Sequence, residues 1–124
     1  MSPRRLALAL FAVGAALGGA IWVLSPWLTG AKEPWDADVP VWPLSWIAVA
    51  IGGGLTGRAL GILLPLGYAA GQMVTTLGAV LKSEFGMLGW LFILGYGVAA
   101  MLGTLLLVAG AALARRFRRP RRTP

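Results

Sequence analysis

Thr29-Gly30-Ala31-Lys32-Glu33-Pro34-Trp35-Asp36-Ala37-Asp38-Val39-Pro40 is the longest stretch of this chain that water would claim, and the fold follows from what flanks it. Three of the chain's four acidic residues, Glu33, Asp36 and Asp38, lie within it. Long apolar segments stand on both sides. Everything else reads as hydrocarbon-facing helix or as a basic end.

Composition gives the class. Of 124 residues, 58% are hydrophobic and 12% charged, with a mean hydropathy of +0.79. A soluble domain normally carries about a quarter of its residues as charges. An integral membrane protein fits instead, and a soluble globular domain does not. There is no cysteine, hence no disulfide and no thiolate metal site. There is no histidine, so the commonest general base and metal ligand are both missing. The net charge of +7 sits mostly beside apolar segments. It therefore points to the lipid bilayer and its anionic headgroups as partner, and not to nucleic acid. Richness in Gly, Ala, Arg and Pro is the style of a GC-rich bacterial genome, which suggests a bacterial inner (plasma) membrane.

Upstream of the acidic stretch, residues 6–24 form an uninterrupted apolar run. It is long enough to cross about 30 Å of hydrocarbon. Ser25-Pro26 is expected to stop it, because proline lacks the amide a continuing helix needs. A cleaved signal peptide is the rival reading: Arg4 and Arg5 as its basic region, Gly18-Gly19-Ala20 as its cleavage site. The apolar run outlasts that site, which favours retention. Residues 25–40 are then an outer loop. Trp22, Trp27, Trp35, Trp42 and Trp46 flank or occupy it. They read as an interfacial aromatic belt, or as part of a docking surface for a partner built from Glu33, Trp35, Asp36 and Asp38.

Downstream, residues 41–82 would make a single helix about 60 Å long, twice the hydrocarbon thickness. The expected division is a second span at 41–59, a turn at 60–64 and a third span at 65–81. Pro43 is tolerated in a first helical turn. Arg58 is expected in the last turn of the second span, where it can snorkel to headgroups. A connector of residues 82–86 leads to a fourth span at 87–113. The first 114 residues thus form one membrane domain. Residues 115–124 form a basic tail expected to be disordered, with Arg115, Arg116, Arg118 and Arg119 joining Arg58 in headgroup contact. With four spans, one side carries the arginines and no acid, and the other carries Lys32 and Lys82 with all four carboxylates. Positive-inside then puts both termini in the cytoplasm.

Small residues recur four apart: Gly14 and Gly18, Gly53 and Gly57, the ridge Gly67, Gly71, Thr75 and Ala79, and the ridge Gly95, Ala99 and Gly103. Such ridges let helix backbones approach closely. Gln72, Thr75 and Thr76 share one face of the third span. They are either interhelical hydrogen-bonding groups or the polar lining of a path. No acid or histidine lies within a span, so a proton-coupled carrier lacks an obvious proton site. The loop carboxylates lack the spacing of a calcium loop.

Two short motifs, Glu33-Pro34-Trp35-Asp36 and Gly71-Gln72, resemble those of small bacterial inner-membrane proteins of four predicted helices. The resemblance implies that fold and no activity. The chain lacks the first-span glutamate of the small multidrug exporters and the asparagine motifs of the small fluoride channels. The sequence therefore predicts an all-helical, four-span, non-enzymatic membrane protein without cofactor or metal. Its expected role is an accessory or assembly subunit that packs with itself or with a larger complex. The alternative is a small oligomeric channel or transporter lined by Gln72, Thr75 and Thr76.

Overall fold

A computed structural model describes residues 1–84 and 86–119. The protein is all-α. Helix α1 runs over Pro3–Thr29, α2 over Val41–Leu55, α3 over Leu63–Lys82 and α4 over Gly86–Arg118. Short 3-10 turns at Pro34–Asp36 and Ala59–Ile62 complete the connections. Segments Pro3–Asp36, Ala59–Lys82 and Gly86–Arg118 are long and apolar enough to cross a membrane, whereas α2 is a shorter apolar helix.

Packing alternates in direction. α1 lies parallel to α3, with Gly14 against Leu64 and Gly18 against Tyr68 and Gln72. α2 lies parallel to α4, with Gly53 against Thr104 and Gly54 against Leu107. α3 and α4 form an antiparallel hairpin, in which Trp90 meets Thr76 and Gly97 meets Ala69. One end of the bundle thus collects the 30–40 loop and the α3–α4 connector. The other collects the N-terminus, the α2–α3 turn and the C-terminal end of α4. The acids Glu33, Asp36, Asp38 and Glu84 belong to the first end; Arg4, Arg5, Arg58, Arg115, Arg116, Arg118 and Arg119 belong to the second.

α3 is the axis. Half of its most apolar stretch is buried in the bundle, against 11% for the first segment and 22% for the last. The interface between α1 and α3 is the most extensive in the molecule, and glycine makes it possible. A Cβ on Gly67 would lie 2.2 Å from the Phe11 carbonyl oxygen, and one on Gly71 would lie 2.1 Å from that of Ala15. Gly14 and Gly18 are equally tight from the other side, at 2.2 and 2.1 Å from α3 carbonyl oxygens. Gly14 and Gly18 therefore face Gly67 and Gly71 within one chain, whereas Gly57 of the Gly53 and Gly57 pair lies past the end of α2 with nothing within 4 Å of a Cβ. The outer ridge differs: at Gly95 a Cβ would meet nothing within 4 Å.

The exterior is that of no water-soluble bundle, and polar groups share the interior with an apolar core that includes Trp46, Tyr68 and Ile93. Ser25, Gln72, Thr76 and Thr104 are buried, while Leu8, Val13, Val23, Ile47, Val74, Leu91 and Leu106 are exposed. Such a surface suits hydrocarbon, where helices gain nothing by hiding leucine but do gain by pairing polar groups.

Several expected boundaries move. Ser25-Pro26 does not stop α1, which continues to Thr29 with Pro26 inside it. Pro26 has no amide to give the Trp22 carbonyl, and the helix runs on past that one lost bond to an end held by hydroxyls. Thr29 Oγ1 donates to the Ser25 carbonyl at 2.8 Å, and Ser25 Oγ donates to the Ala31 carbonyl at 2.8 Å. Gly30, at φ 72°, then caps the helix by donating its amide to the Pro26 carbonyl. The outer loop is correspondingly shorter than residues 25–40. α2 ends at Leu55, not 59, so Arg58 is not in a helical last turn. Thr56 and Gly57 (φ 65°) break the helix, and Arg58 is an extended, exposed residue before the 3-10 turn. That turn folds back onto α2, so closely that a Cβ on Gly61 would lie 2.0 Å from the Gly53 carbonyl oxygen. α3 starts two residues earlier than expected, at Leu63, with Pro65 in its first turn. α4 carries Arg115, Arg116 and Arg118 in its last turn, so the expected disorder does not begin at residue 115. Phe85 and residues 120–124, the rest of that expected tail, lie outside the described residues.

Gly71→Ala is expected to lower the stability of the purified protein by about 1–3 kcal/mol, the usual cost of overpacking. Gly78→Ala, where a Cβ meets nothing within 4 Å, should lose none. Thermal unfolding in mild detergent, followed by circular dichroism, measures the difference.

Candidate functional site

The loop end of the bundle holds a cavity of about 570 Å³. All four helices and the Pro34–Asp36 turn contribute to its wall. Trp22 comes from α1, Trp35 from the turn, Trp42 from α2, Thr76 from α3, and Trp90, Phe92 and Tyr96 from α4. Two carboxylates, Glu33 and Asp36, belong to the same wall, and among the described residues no lysine or arginine does.

The aromatic side chains are positioned through α3. Gln72 is fully buried. Its Oε1 accepts two indole N–H bonds, from Trp22 at 2.9 Å and from Trp42 at 2.7 Å. Two donors on one oxygen fix the orientation of the amide, since the NH2 group cannot accept. One turn on, Thr76 Oγ1 donates to the Gln72 carbonyl at 2.7 Å and accepts from Trp90 Nε1 at 3.1 Å. The face of α3 bearing Gln72 and Thr76 thereby holds one tryptophan from each of the other three helices. Trp46 Nε1 and Gln72 Nε2 are buried donors without a protein acceptor among the described residues.

The rings also pack on one another edge to face. Trp22 meets Trp35 at 4.7 Å between centroids, Trp35 meets Trp42 at 5.6 Å, and Trp42 meets Tyr96 at 4.6 Å. Below them Trp46 lies against Tyr68 at 4.7 Å, and the Tyr68 hydroxyl hydrogen-bonds with Ser45. Edge-to-face pairs set the positive rim of one ring on the negative face of the next and add about 0.5–1.5 kcal/mol each beyond burial. Trp35 is further tied by its N–H, which donates to Glu33 Oε2 at 2.6 Å. The rigid sequence Glu33-Pro34-Trp35 makes this short bond possible, with Pro34 buried at the start of the 3-10 turn.

The expected site residues separate into groups. Glu33, Trp35 and Asp36 come together at the cavity, whereas Asp38 is exposed and does not line it. Trp35 turns its ring inward against Trp22 and Trp42, so it is not an outward anchor. Of the five tryptophans expected in an aromatic belt, Trp27 alone is exposed, at 82%; Trp42 and Trp46 are buried and Trp22 and Trp35 half-buried. Gln72 and Thr76 are buried in the bundle, but Thr75 is exposed and bonds only the Gly71 carbonyl of its own helix. The three do not line one path within the chain. Gly67 and Gly71 are packing residues against α1. Arg58, Arg115, Arg116, Arg118 and Arg119 are exposed at the opposite end.

Sequence reasoning missed the partnership of Gln72 with Trp22 and Trp42, and the contribution of Trp90 and Tyr96. A signal was present: a glutamine inside an apolar helix requires donors, and six tryptophans in 124 residues supply them. Comparison with protein-family models, curated proteins and solved structures finds no match to this chain.

Gln72→Leu removes the acceptor shared by two indoles and leaves their N–H groups buried and unpaired. The loss expected is about 1–3 kcal/mol, with a change in the near-ultraviolet circular dichroism of the tryptophans. Thr75→Val, on the exposed face, should leave both stability and spectrum unchanged. Chemical unfolding and near-ultraviolet spectra of the two variants test this.

Proposed function

We propose that this chain is a non-enzymatic, four-span protein of the bacterial inner membrane, with both termini in the cytoplasm, that acts by binding at the cavity on its periplasmic end. The observation that carries the reading is the coincidence of that cavity with the acidic end of the bundle, opposite an end populated by arginine. Positive-inside orientation directs the arginine end to the cytoplasm. A half-enclosed cavity, apolar and rich in aromatic side chains with a few polar groups, is the usual form of a small-molecule site. Its volume falls within the range of about 300–1,000 Å³ typical of such sites.

The non-enzymatic reading rests on the chemistry of the wall. Among the described residues it offers two carboxylates, of which Glu33 is engaged by the Trp35 N–H, and no histidine, cysteine or lysine. An accessory role in a complex, or self-association, is a second reading. It is favoured by the outer face of α4, where Leu91, Phe92, Gly95, Tyr96 and Ala99 form a shallow apolar groove.

The chain's lack of cysteine makes accessibility measurable. In intact cells, Ala37→Cys on the loop and Leu88→Cys on the cavity wall should react with a small membrane-impermeant thiol reagent from the periplasmic side. Leu60→Cys and Thr123→Cys should react only after the membrane is permeabilised. Labelling of Thr123→Cys from outside would overturn the topology, and a Leu88→Cys that reacts only after permeabilisation would overturn the periplasmic cavity.

A further inference from the structure

We propose that the cavity binds an organic ammonium cation, an alkylated or aryl-bearing amine, and that the ring faces and the Glu33 carboxylate recognise its charge. This deepens the reading of the cavity as a binding site and rests on it. Three observations converge. First, six aromatic side chains line one cavity: Trp22, Trp35, Trp42, Trp90, Phe92 and Tyr96. Ring faces carry the negative part of the aromatic quadrupole, and tryptophan is the strongest cation acceptor of the three types. Second, among the described residues the charged side chains lining the wall are Glu33 and Asp36, while Lys32 and Lys82, beside the lining residues Glu33 and Ser83, are not part of it. Third, Glu33 is half-buried and its bond from Trp35 is from a neutral donor. That bond orients the carboxylate without neutralising it.

The pattern discriminates between ligand classes. An anion would meet two carboxylates and the negative ring faces. A metal ion would need several oxygen or nitrogen ligands converging at one point, and among the described residues no group of three or more acidic, histidine or cysteine side chains is placed to hold one. A neutral apolar molecule would fit the rings but leave the two negative charges of the wall without a counter-charge. An ammonium with an apolar body satisfies both parts, because its weakly hydrated charge loses little on leaving water and its carbon surface packs on indole. At about 570 Å³ the cavity also exceeds what a bare methylammonium would fill.

A free cation and the ethanolamine headgroup of a lipid both present an ammonium, the headgroup's being primary and more strongly hydrated. The probe is benzyltrimethylammonium, titrated calorimetrically into the full chain in maltoside micelles, with benzyl alcohol as the neutral control and phenylmethanesulfonate as the charge-inverted one. Saturable binding of the cation alone is expected. Glu33→Gln keeps an acceptor for the Trp35 N–H but removes the charge, and it should weaken binding about tenfold, the factor that corresponds to 1.4 kcal/mol. Trp90→Leu should weaken it as well, while Trp90→Phe, which keeps a ring face, should retain affinity within about threefold. Two nanodisc preparations, one of a neutral glycolipid and one of phosphatidylethanolamine, separate the sources. Weaker probe binding in phosphatidylethanolamine shows that the headgroup competes and is itself a ligand; equal binding leaves the free cation as the ligand. No saturable binding at millimolar probe, equal binding of benzyl alcohol, or unchanged affinity in Glu33→Gln would each overturn the proposal. The labelling experiment above stands apart: a periplasmic cavity that binds no ammonium would sink this inference and leave the topology intact.

Discussion

The backbone of α1 touches the backbone of α3, and the rest of the molecule depends on that contact. Four glycines make it: Gly14 and Gly18 on one helix, Gly67 and Gly71 on the other. In hydrocarbon there is no gain from hiding leucine, so association must come from close dispersion contact and from polar pairing. A glycine seam supplies the first. It also sets the depth at which every other residue of α1 and α3 meets, because carbonyl oxygens seated directly on glycine backbone leave no slack for sliding. Trp22 arrives at hydrogen-bonding distance from Gln72 because Gly18 has already placed the two helices in register.

Polar pairing supplies the second, and it is concentrated at one level. Gln72 and Thr76 accept N–H bonds from tryptophans on α1, α2 and α4. An interhelical hydrogen bond in a membrane is worth about 0.6 kcal/mol on average, so each bond is a modest stabiliser. Their effect on shape is larger than their effect on energy. Three indoles held on one helix face, braced by edge-to-face ring packing, form a wall whose interior cannot collapse without breaking several contacts together. The cavity at the loop end survives for that reason. At the other end Thr104 donates to the Ala50 carbonyl at 2.9 Å and closes α4 on α2 in the same manner.

Much of this was legible in the sequence, and the exceptions have identifiable causes. The four helices follow from the apolar runs and their interruptions, and the glycine pairs from their four-residue spacing. Pro26 misled because a missing amide costs the helix one bond, to the Trp22 carbonyl, while the true end lies at Thr29 and Gly30, held by the Thr29 and Ser25 hydroxyls and the Gly30 amide. Arg58 misled in the other direction. A helix over 41–59 would have placed it well, but Gly57 adopts a left-handed conformation and ends α2 early. Trp35 read as an interfacial or docking residue because it lies in the acidic loop; its ring nonetheless turns inward, since the 3-10 turn begun by Pro34 points it at Trp22 and Trp42. Thr75 and Thr76 are adjacent in sequence, yet one is exposed and the other buried, which a three-residue face assignment could not resolve.

The central claim is the backbone contact between α1 and α3 at the level of the glycine seam, and engineered cross-linking measures it directly. A Cβ on Gly19 would lie 3.2 Å from Thr75 Oγ1. Thr75 Oγ1 stands roughly where a cysteine sulfur would, so sulfurs at the two positions come within reach of a disulfide bond of about 2.05 Å. The double variant Gly19→Cys with Thr75→Cys, in a chain with no other cysteine, should form an intrachain disulfide on mild oxidation in membranes. Intact mass after thiol blocking would report it. A pair that stays reduced, or that links only between chains, would contradict the account.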